Sequence, residues 1–197
     1  MTLHRQITPD RPLIVCALET EAEHLHAGEL PVLVTGVGKV NAAIAVTAVL
    51  SQWRPSLVVN MGTAGALRDG IVGTHVVSSV MQHDLNDASI AELTGMHFGL
   101  PIALGHGQSF EAGGLVLATG DRFIARPEVR QRLAEHAHLV DMEGYAVAKA
   151  ATLAGVPVVC VKDVSDSASE DAGKSWSQTL AECAERLGAW ADAHLHR

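Results

Sequence analysis

Aromatic residues make up only 4% of this chain and charged residues only 18%, which rules out an aromatic-packed core and a solvated, disordered polyampholyte alike. Basic residues are scarce too: Lys and Arg total 14 against 22 acids, for a formal net charge of −8. Without a dense Lys/Arg run there is no electrostatic footprint for a phosphate backbone, so nucleic acid is not an expected partner. The three cysteines, Cys16, Cys160 and Cys183, are odd in number, and two of them fall in apolar runs that read as buried strands. Reduced core thiols, and hence a cytoplasmic location, are expected rather than a disulfide framework. Long hydrophobic runs are also missing. Leu13 to Leu18 is far too short to span a bilayer and runs straight into Glu19, Glu21 and Glu23, so neither a membrane segment nor a targeting segment is expected.

What is present is small and aliphatic: hydrophobic residues reach 48% of 197, enough for one layered core and short for two. No linker, low-complexity tract or repeat divides the chain, so residues 1–197 are expected to form a single domain. Strands are predicted at Leu13–Leu18, Pro31–Thr35, Leu57–Met61, Gly73–Val80, Leu115–Thr119, His138–Val140 and Val156–Val161. Helices are predicted at about Val40–Trp53, Pro127–His136, Tyr145–Leu153 and Lys174–His194, with a short one beginning at Glu19–Leu25. His83–His106 has weak periodicity and reads as loop. Strands alternating with helices define an α/β fold, and in open α/β sheets ligands bind at the carboxyl ends of the strands.

Several tempting motifs fail on their own chemistry. Gly36-Val37-Gly38-Lys39 is not a P-loop, because Val40 stands where Ser or Thr must hold magnesium and Leu33 where the first Gly belongs. It also fails as a dinucleotide fingerprint, since Asn41 replaces the third small residue. Helix-capping glycine is the plain reading. The pairs His24/His26 and His136/His138 have a spacing that converges on a metal only from a strand, and neither lies on one, so surface histidines are expected and no metal site. His83-Asp84 closes a strand and stays a minor candidate, while Gly107-Gln108-Ser109 lacks the closing glycine of a nucleophile elbow.

Three acids stand apart. Glu21, Glu143 and Asp166 each follow a predicted strand. Any one of them alone reads as a cap or a solvated carboxylate. Together with the glycine-rich turn predicted at Gly62-Thr63-Ala64-Gly65-Ala66 they mark one sheet edge. Glycosyl transfer is a chemistry that needs such a set: an acid for the leaving group, a carboxylate for water, and partners for sugar hydroxyls.

At these residues the chain resembles a known family. Val59-Asn60-Met61-Gly62-Thr63-Ala64-Gly65, Val140-Asp141-Met142-Glu143-Gly144 and Val164-Ser165-Asp166 are similar, in order and spacing, to the methylthioadenosine/S-adenosylhomocysteine nucleosidases of the nucleoside phosphorylase-I superfamily. Thr35-Gly36-Val37-Gly38-Lys39-Val40 and Thr119-Gly120-Asp121-Arg122-Phe123 also fit. The resemblance implies a single-domain three-layer α/β/α fold around a central mixed twisted sheet, a homodimer, no cofactor, and a small purine nucleoside as substrate. It implies that Asp166 is the general acid at purine N7 and that Glu21 activates water. Glu19 is then the near miss. Glu143 would bind the ribose hydroxyls, its charge favouring an oxocarbenium-like sugar, with Met142 beneath that sugar. Phe123 and Ile124 would meet the purine, Ser165 would join the binding set beside Asp166, Thr63, Ala64 and Gly65 would form the sugar-side loop, and Trp176 would cover the 5′ substituent.

Within the superfamily the residues lean towards hydrolysis. Asn60-Met61 stands where phosphorylases of this type place a phosphate-holding Arg, and Glu19, Glu21 and Glu23 would repel phosphate. Only thirteen residues separate Glu21 from Thr35, a shorter connection than the family's usual hairpin. A phosphorylase, a futalosine-type hydrolase acting on a 6-oxopurine nucleoside, and a non-catalytic nucleoside-binding module remain the alternatives.

Overall fold

The computed structural model describes residues 1–26, 28–104, 110, 113–169 and 172–195; Gly107-Gln108-Ser109 lies outside them. Among these residues the chain forms ten strands in one mixed sheet and five helices. The strands are β1 (Thr2–His4), β2 (Leu13–Cys16), β3 (Val32–Val34), β4 (Val58–Ala66), β5 (Thr74–Val76), β6 (Ser79–Gln82), β7 (Ile102–Ala103), β8 (Val116–Thr119), β9 (Leu139–Asp141) and β10 (Val158–Asp166). The helices are α1 (Lys39–Leu50), α2 (Asp87–Thr94), α3 (Pro127–Ala134), α4 (Gly144–Leu153) and α5 (Ala172–Leu195).

The sheet runs β1-β3-β2-β4-β9-β8-β6-β7, with β10 along the other edge of β4 and β5 beyond it. Buried Val, Leu and Ile fill β2, β3 and the first half of β4, as strands covered on both faces require. One face carries α1 and α4, packed through Ala42, Ala45, Val46, Val49, Val147 and Ala151. The opposite face carries α5, whose Leu187, Ala191 and Leu195 join the cluster around Ile14, Val59 and Val161. Small side chains on α4 let it lie close to both α1 and the sheet.

Beside β4 the sheet changes partner. Its first half pairs in parallel with β2, from Leu13↔Val58 to Val15↔Asn60, and its end pairs antiparallel with β9 at Gly65↔Val140 and Ala66↔Leu139. Met61 to Ala64 therefore lie between two diverging strands on that edge, while β10 pairs continuously along the other. The resulting crevice is where loops after β2, β9 and β10 converge.

Several expectations change here. Gly62–Ala66 is not a turn: parallel pairing with Lys162–Asp166 keeps it in the strand. Residues 73–80 split into β5 and the start of β6. Glu19–Leu25 forms successive turns, closed by bonds such as Ala22 N–H to Glu19 O and Leu25 N–H to Ala22 O, rather than a helix. The predicted loop His83–His106 contains α2, capped by the Asn86 side chain and stopped by left-handed Gly95, and the short β7. No residue of α2 is buried, so no apolar stripe marks it in the sequence. No helix among the described residues is long and apolar enough to cross a membrane.

Candidate active site

A cavity of about 370 Å³ opens in the crevice, lined by Ala17, Leu18, Glu21, Val37, Thr63, Ala64, Gly65, Arg122, Phe123, Ile124, Val140, Asp141, Met142, Glu143, Ser165, Asp166, Gly173 and Trp176. All eleven residues assigned to the site from the sequence are on its wall.

Glu21 is 4% exposed and held by four donors. Its Oε2 accepts from the Ala17 and Leu18 main-chain N–H groups, both at 3.2 Å. Its Oε1 accepts from the Thr63 N–H at 2.8 Å and the Thr63 hydroxyl at 2.9 Å. The Thr63 N–H is available because no strand occupies that edge of β4. Trp176 donates its indole N–H to the same hydroxyl at 3.1 Å. Glycine is needed at residue 62, since a Cβ there would sit 3.1 Å from Glu21 Oε1. Glu19 is absent from the cavity wall and bonds His4 and His26 instead.

Asp166 is aimed by an irregularity. The pairing of β10 with β4 shifts register between Val164 and Asp166, and such a bulge redirects the side chains that follow. One Asp166 oxygen accepts from the Ala168 N–H at 2.8 Å and the other from the Ser165 hydroxyl at 2.8 Å. Burial raises its pKa above the ordinary carboxylate value, and those two hydrogen bonds only partly oppose the shift. Gly65 lies opposite; a Cβ there would fall 3.0 Å from Asp166 Oδ1.

Glu143 ends the turn between β9 and α4. Its Oε1 accepts from the Gly38 N–H at 2.7 Å, and Gly38, at φ 96°, is the N-cap residue of α1. The glycine-rich segment thus does cap a helix, and it also presents a donor to the candidate sugar-binding acid. Burial, reinforced by the nearby Asp141 charge, pushes the Glu143 pKa up to about 8, against the pull of Lys162 and the Gly38 N–H. The shift favours the protonated carboxyl, which both donates and accepts and so suits a diol.

Behind Glu143 lies a pair that sequence reasoning passed over. Lys162 and Asp141 form an ion pair at 2.9 Å with side chains only 2% and 1% exposed. Asp141 also accepts from the Thr119 hydroxyl at 2.6 Å and the Gly144 N–H at 2.8 Å. Burial works against the Lys162 charge, but Asp141, with Cys160 and Glu143, keeps its pKa above the ordinary lysine value. The signal that could have found it is a lysine directly after the apolar run Val156–Val161.

Other candidates fall outside. His83 borders a neighbouring groove, packs against Gly120, and has a buried Nε2 with no hydrogen-bond partner. Asp84 is tied to Lys39 and to the Asp121 N–H, a structural clamp at the start of α1. Among the described residues Arg122 is the one Lys or Arg on the cavity wall. Asn60 is buried and donates to Val15 O at 3.1 Å.

An apolar slot with carboxyl groups at separate stations suits a small ligand that is part apolar and part hydroxylated. The phosphorylase superfamily profile matches residues 14–111 and 103–195 of the chain. A 5′-methylthioadenosine/S-adenosylhomocysteine nucleosidase of Geobacillus kaustophilus is 31% identical over 187 residues, covering 85% of this chain and 79% of the relative. The enzyme of that name from Bacillus pumilus is 33% identical over 176 residues, covering 79% and 76% respectively. Two Helicobacter pylori structures share the fold: a methylthioadenosine nucleosidase mutant with 5′-methylthioadenosine in its active site superposes with TM-score 0.83 at 21% identity, covering 94% of this chain and 98% of that one. A native futalosine hydrolase does so with TM-score 0.83 at 21% identity, covering 94% and 97%. The chain belongs to the phosphorylase superfamily and, within it, to the 5′-methylthioadenosine/S-adenosylhomocysteine nucleosidase family.

Proposed function

We propose that this chain is an N-glycosyl hydrolase that cleaves a 5′-modified adenosine, of the methylthioadenosine or S-adenosylhomocysteine kind, to free purine and sugar. The observation that carries this reading is Glu21, a buried carboxylate held by four donors at the sugar end of the cavity, with a second carboxyl of raised pKa, Asp166, on the same wall. Separated acid and base stations of this kind suit cleavage of a bond that leaves towards the acid and is attacked from the other side.

Asp166 gives its proton to the purine as the glycosidic bond lengthens, a role its burial supports by raising the carboxyl's pKa. Phe123 and Ile124 provide the apolar walls for the base. Glu143 hydrogen-bonds the ribose hydroxyls, and its carboxyl faces the sugar on which positive charge grows in the oxocarbenium-like state. Glu21 takes a proton from the attacking water, its position fixed by Thr63 and by the turn after β2. Trp176 and Met142 close the slot around the sugar and its 5′ group.

Water as nucleophile is supported by the wall chemistry. Phosphate requires several cations near the sugar, and among the described residues the wall carries Arg122 alone against Glu21, Asp141, Glu143 and Asp166. A homodimer in the cytoplasm completes the proposal. Val37, Val40 and Ile44 at α1 and Leu93, Met96, Phe98 and Leu100 around α2 are exposed apolar side chains that a second copy could cover, and the three cysteines are free and buried. Light scattering on the purified chain tests the dimer.

The test of function is chromatography of the products from a panel of 5′-modified adenosines and inosines, with and without phosphate. Free purine and free sugar at equal rates in both buffers are expected, with adenosines preferred. Strict phosphate dependence would assign the site to a phosphorylase, and a stable complex without free base would make it a binding module.

A further inference from the structure

Off the wall of the nucleoside cavity, three potential metal ligands converge that the sequence keeps apart. His4 lies at the end of edge strand β1, while Glu19 and His26 lie in the connection from β2 to β3. One ligand atom from each lies within 4.8 Å of the other two. His4 Nε2 is 3.2 Å from both Glu19 oxygens, His26 Nε2 is 3.3 Å from Oε2, and the imidazole centroids are 4.3 Å apart. The pairs weighed from the sequence, His24/His26 and His136/His138, are not the ones that meet.

We infer that His4, Glu19 and His26 form a binding site for one divalent transition-metal ion of the zinc class, separate from the nucleoside cavity. Zinc bonds of about 2.0–2.2 Å to nitrogen and oxygen place neighbouring tetrahedral ligands about 3.3–3.5 Å apart. Both imidazole-to-carboxylate edges, hydrogen-bond contacts at 3.2 and 3.3 Å, are already close to that spacing, so an ion would take the place of the shared proton with little movement. Two imidazoles with a single carboxylate select zinc, cobalt or nickel over calcium and magnesium, which require several oxygen ligands. With side-chain exposures of 36% for His4, 53% for Glu19 and 33% for His26, the ion has an entry path and a fourth position open to water.

The backbone supports the arrangement. Arg5, directly after His4, adopts the left-handed region at φ 72°, uncommon for a residue with a Cβ. Its guanidinium donates to His26 O at 2.9 Å, so the two histidine-bearing segments are already held against each other. None of the three side chains lines the nucleoside cavity. The ion is therefore a clip rather than a reagent: it joins the edge strand to the short connection that carries Glu21. That also gives Glu19 a task distinct from that of Glu21, two residues away.

The test is titration of untagged, metal-free protein with Co²⁺, followed by its d–d absorption, and with Zn²⁺, followed by calorimetry and thermal unfolding. One ion per chain is expected. His4→Ala, His26→Ala and Glu19→Gln should each weaken binding by about tenfold or more, while His136→Ala should leave it unchanged. Zinc at a hundredfold excess over its dissociation constant should raise the unfolding midpoint of the parent chain by about 6–7 °C, and that rise should vanish in His4→Ala. Absence of saturable binding, or binding that all three ligand substitutions leave intact, would overturn the site.

Discussion

Replacing Lys162 with Met tests the electrostatic floor of the site. The ammonium is fully buried and 2.9 Å from Asp141, itself 1% exposed at the side chain. Methionine fills nearly the same volume, so the substitution removes charge with little change in packing. What remains is a buried Asp141 carboxylate held only by the Thr119 hydroxyl and the Gly144 N–H. Breaking a buried pair from one side costs about 3–5 kcal/mol, because the surviving charge loses its partner without regaining water. For 197 residues, an unfolding entropy of about 2.1 cal/mol/K per residue gives about 0.41 kcal/mol/K, and the midpoint should fall by about 7–12 °C. Calorimetry at neutral pH reads this directly. Adding Asp141→Asn to Lys162→Met should recover at least about 1 kcal/mol, since the orphan charge is gone. A fall of less than about 2 °C for Lys162→Met, which corresponds to under ~1 kcal/mol, would refute the reasoning, as would a double variant less stable than the single one.

Glu143 makes a prediction with a definite sign. Its folded pKa of about 8 lies above its ordinary 4.5, so the folded state binds this proton more tightly than the unfolded chain. The stability it contributes is fully present below pH 4.5 and lost as pH rises through 8, at up to about 1.4 kcal/mol per pH unit in between. Denaturant titrations of Glu143→Gln against the parent chain across that range should show the variant gaining relative stability with pH; parallel curves would contradict the assignment. The same substitution should slow ribosyl substrates more than 2′-deoxyribosyl ones in steady-state kinetics. Gly65→Ala puts a methyl 3.0 Å from Asp166 Oδ1 and 3.2 Å from both Ala168 Cβ and Val140 Cγ1; kinetics should show turnover down by about one to two orders of magnitude through misplacement of the acid. Thr63→Val removes a hydroxyl that bridges Glu21 and Trp176 and should cost about 1 kcal/mol of stability in chemical denaturation, with turnover reduced.

Local pattern carried most of the architecture. Apolar runs bounded by Gly and Pro marked β2, β3, β8 and β9, and the spacing of Trp176, Leu180, Cys183, Leu187 and Trp190 marked α5. The failures share a cause, which is that partners distant in sequence decided them. Gly62-Thr63-Ala64-Gly65 carries every local sign of a turn, yet residue-by-residue pairing with β10 keeps it extended. The polar end of β10 lies beyond the predicted strand Val156–Val161, since Lys162, Asp163 and Asp166 are charged. Asp141 neutralises Lys162, Arg186 and the Thr74 hydroxyl meet Asp163, and the cavity receives Asp166.

The site was legible to the same extent and for the same reason. Glu21, Glu143 and Asp166 announced themselves by following strands, and the structure brings all three to one cavity. The main-chain donors of Ala17, Leu18 and Gly38 could not be read, because any residue offers an N–H and only the fold decides where it points. Nor could the meeting of His4 with His26, which depends on the antiparallel pairing of β1 with β3.

The central claim, that Asp166 and Glu21 divide the work of a hydrolytic cleavage, is tested most directly by the initial rate of adenine release from 5′-methylthioadenosine in phosphate-free buffer, with Asp166→Asn set against the parent chain. The account predicts steady release by the parent and a rate lower by about two to four orders of magnitude in the variant, the range for loss of a general acid. A near-parental rate in Asp166→Asn, or no release by the parent until phosphate is added, would contradict it.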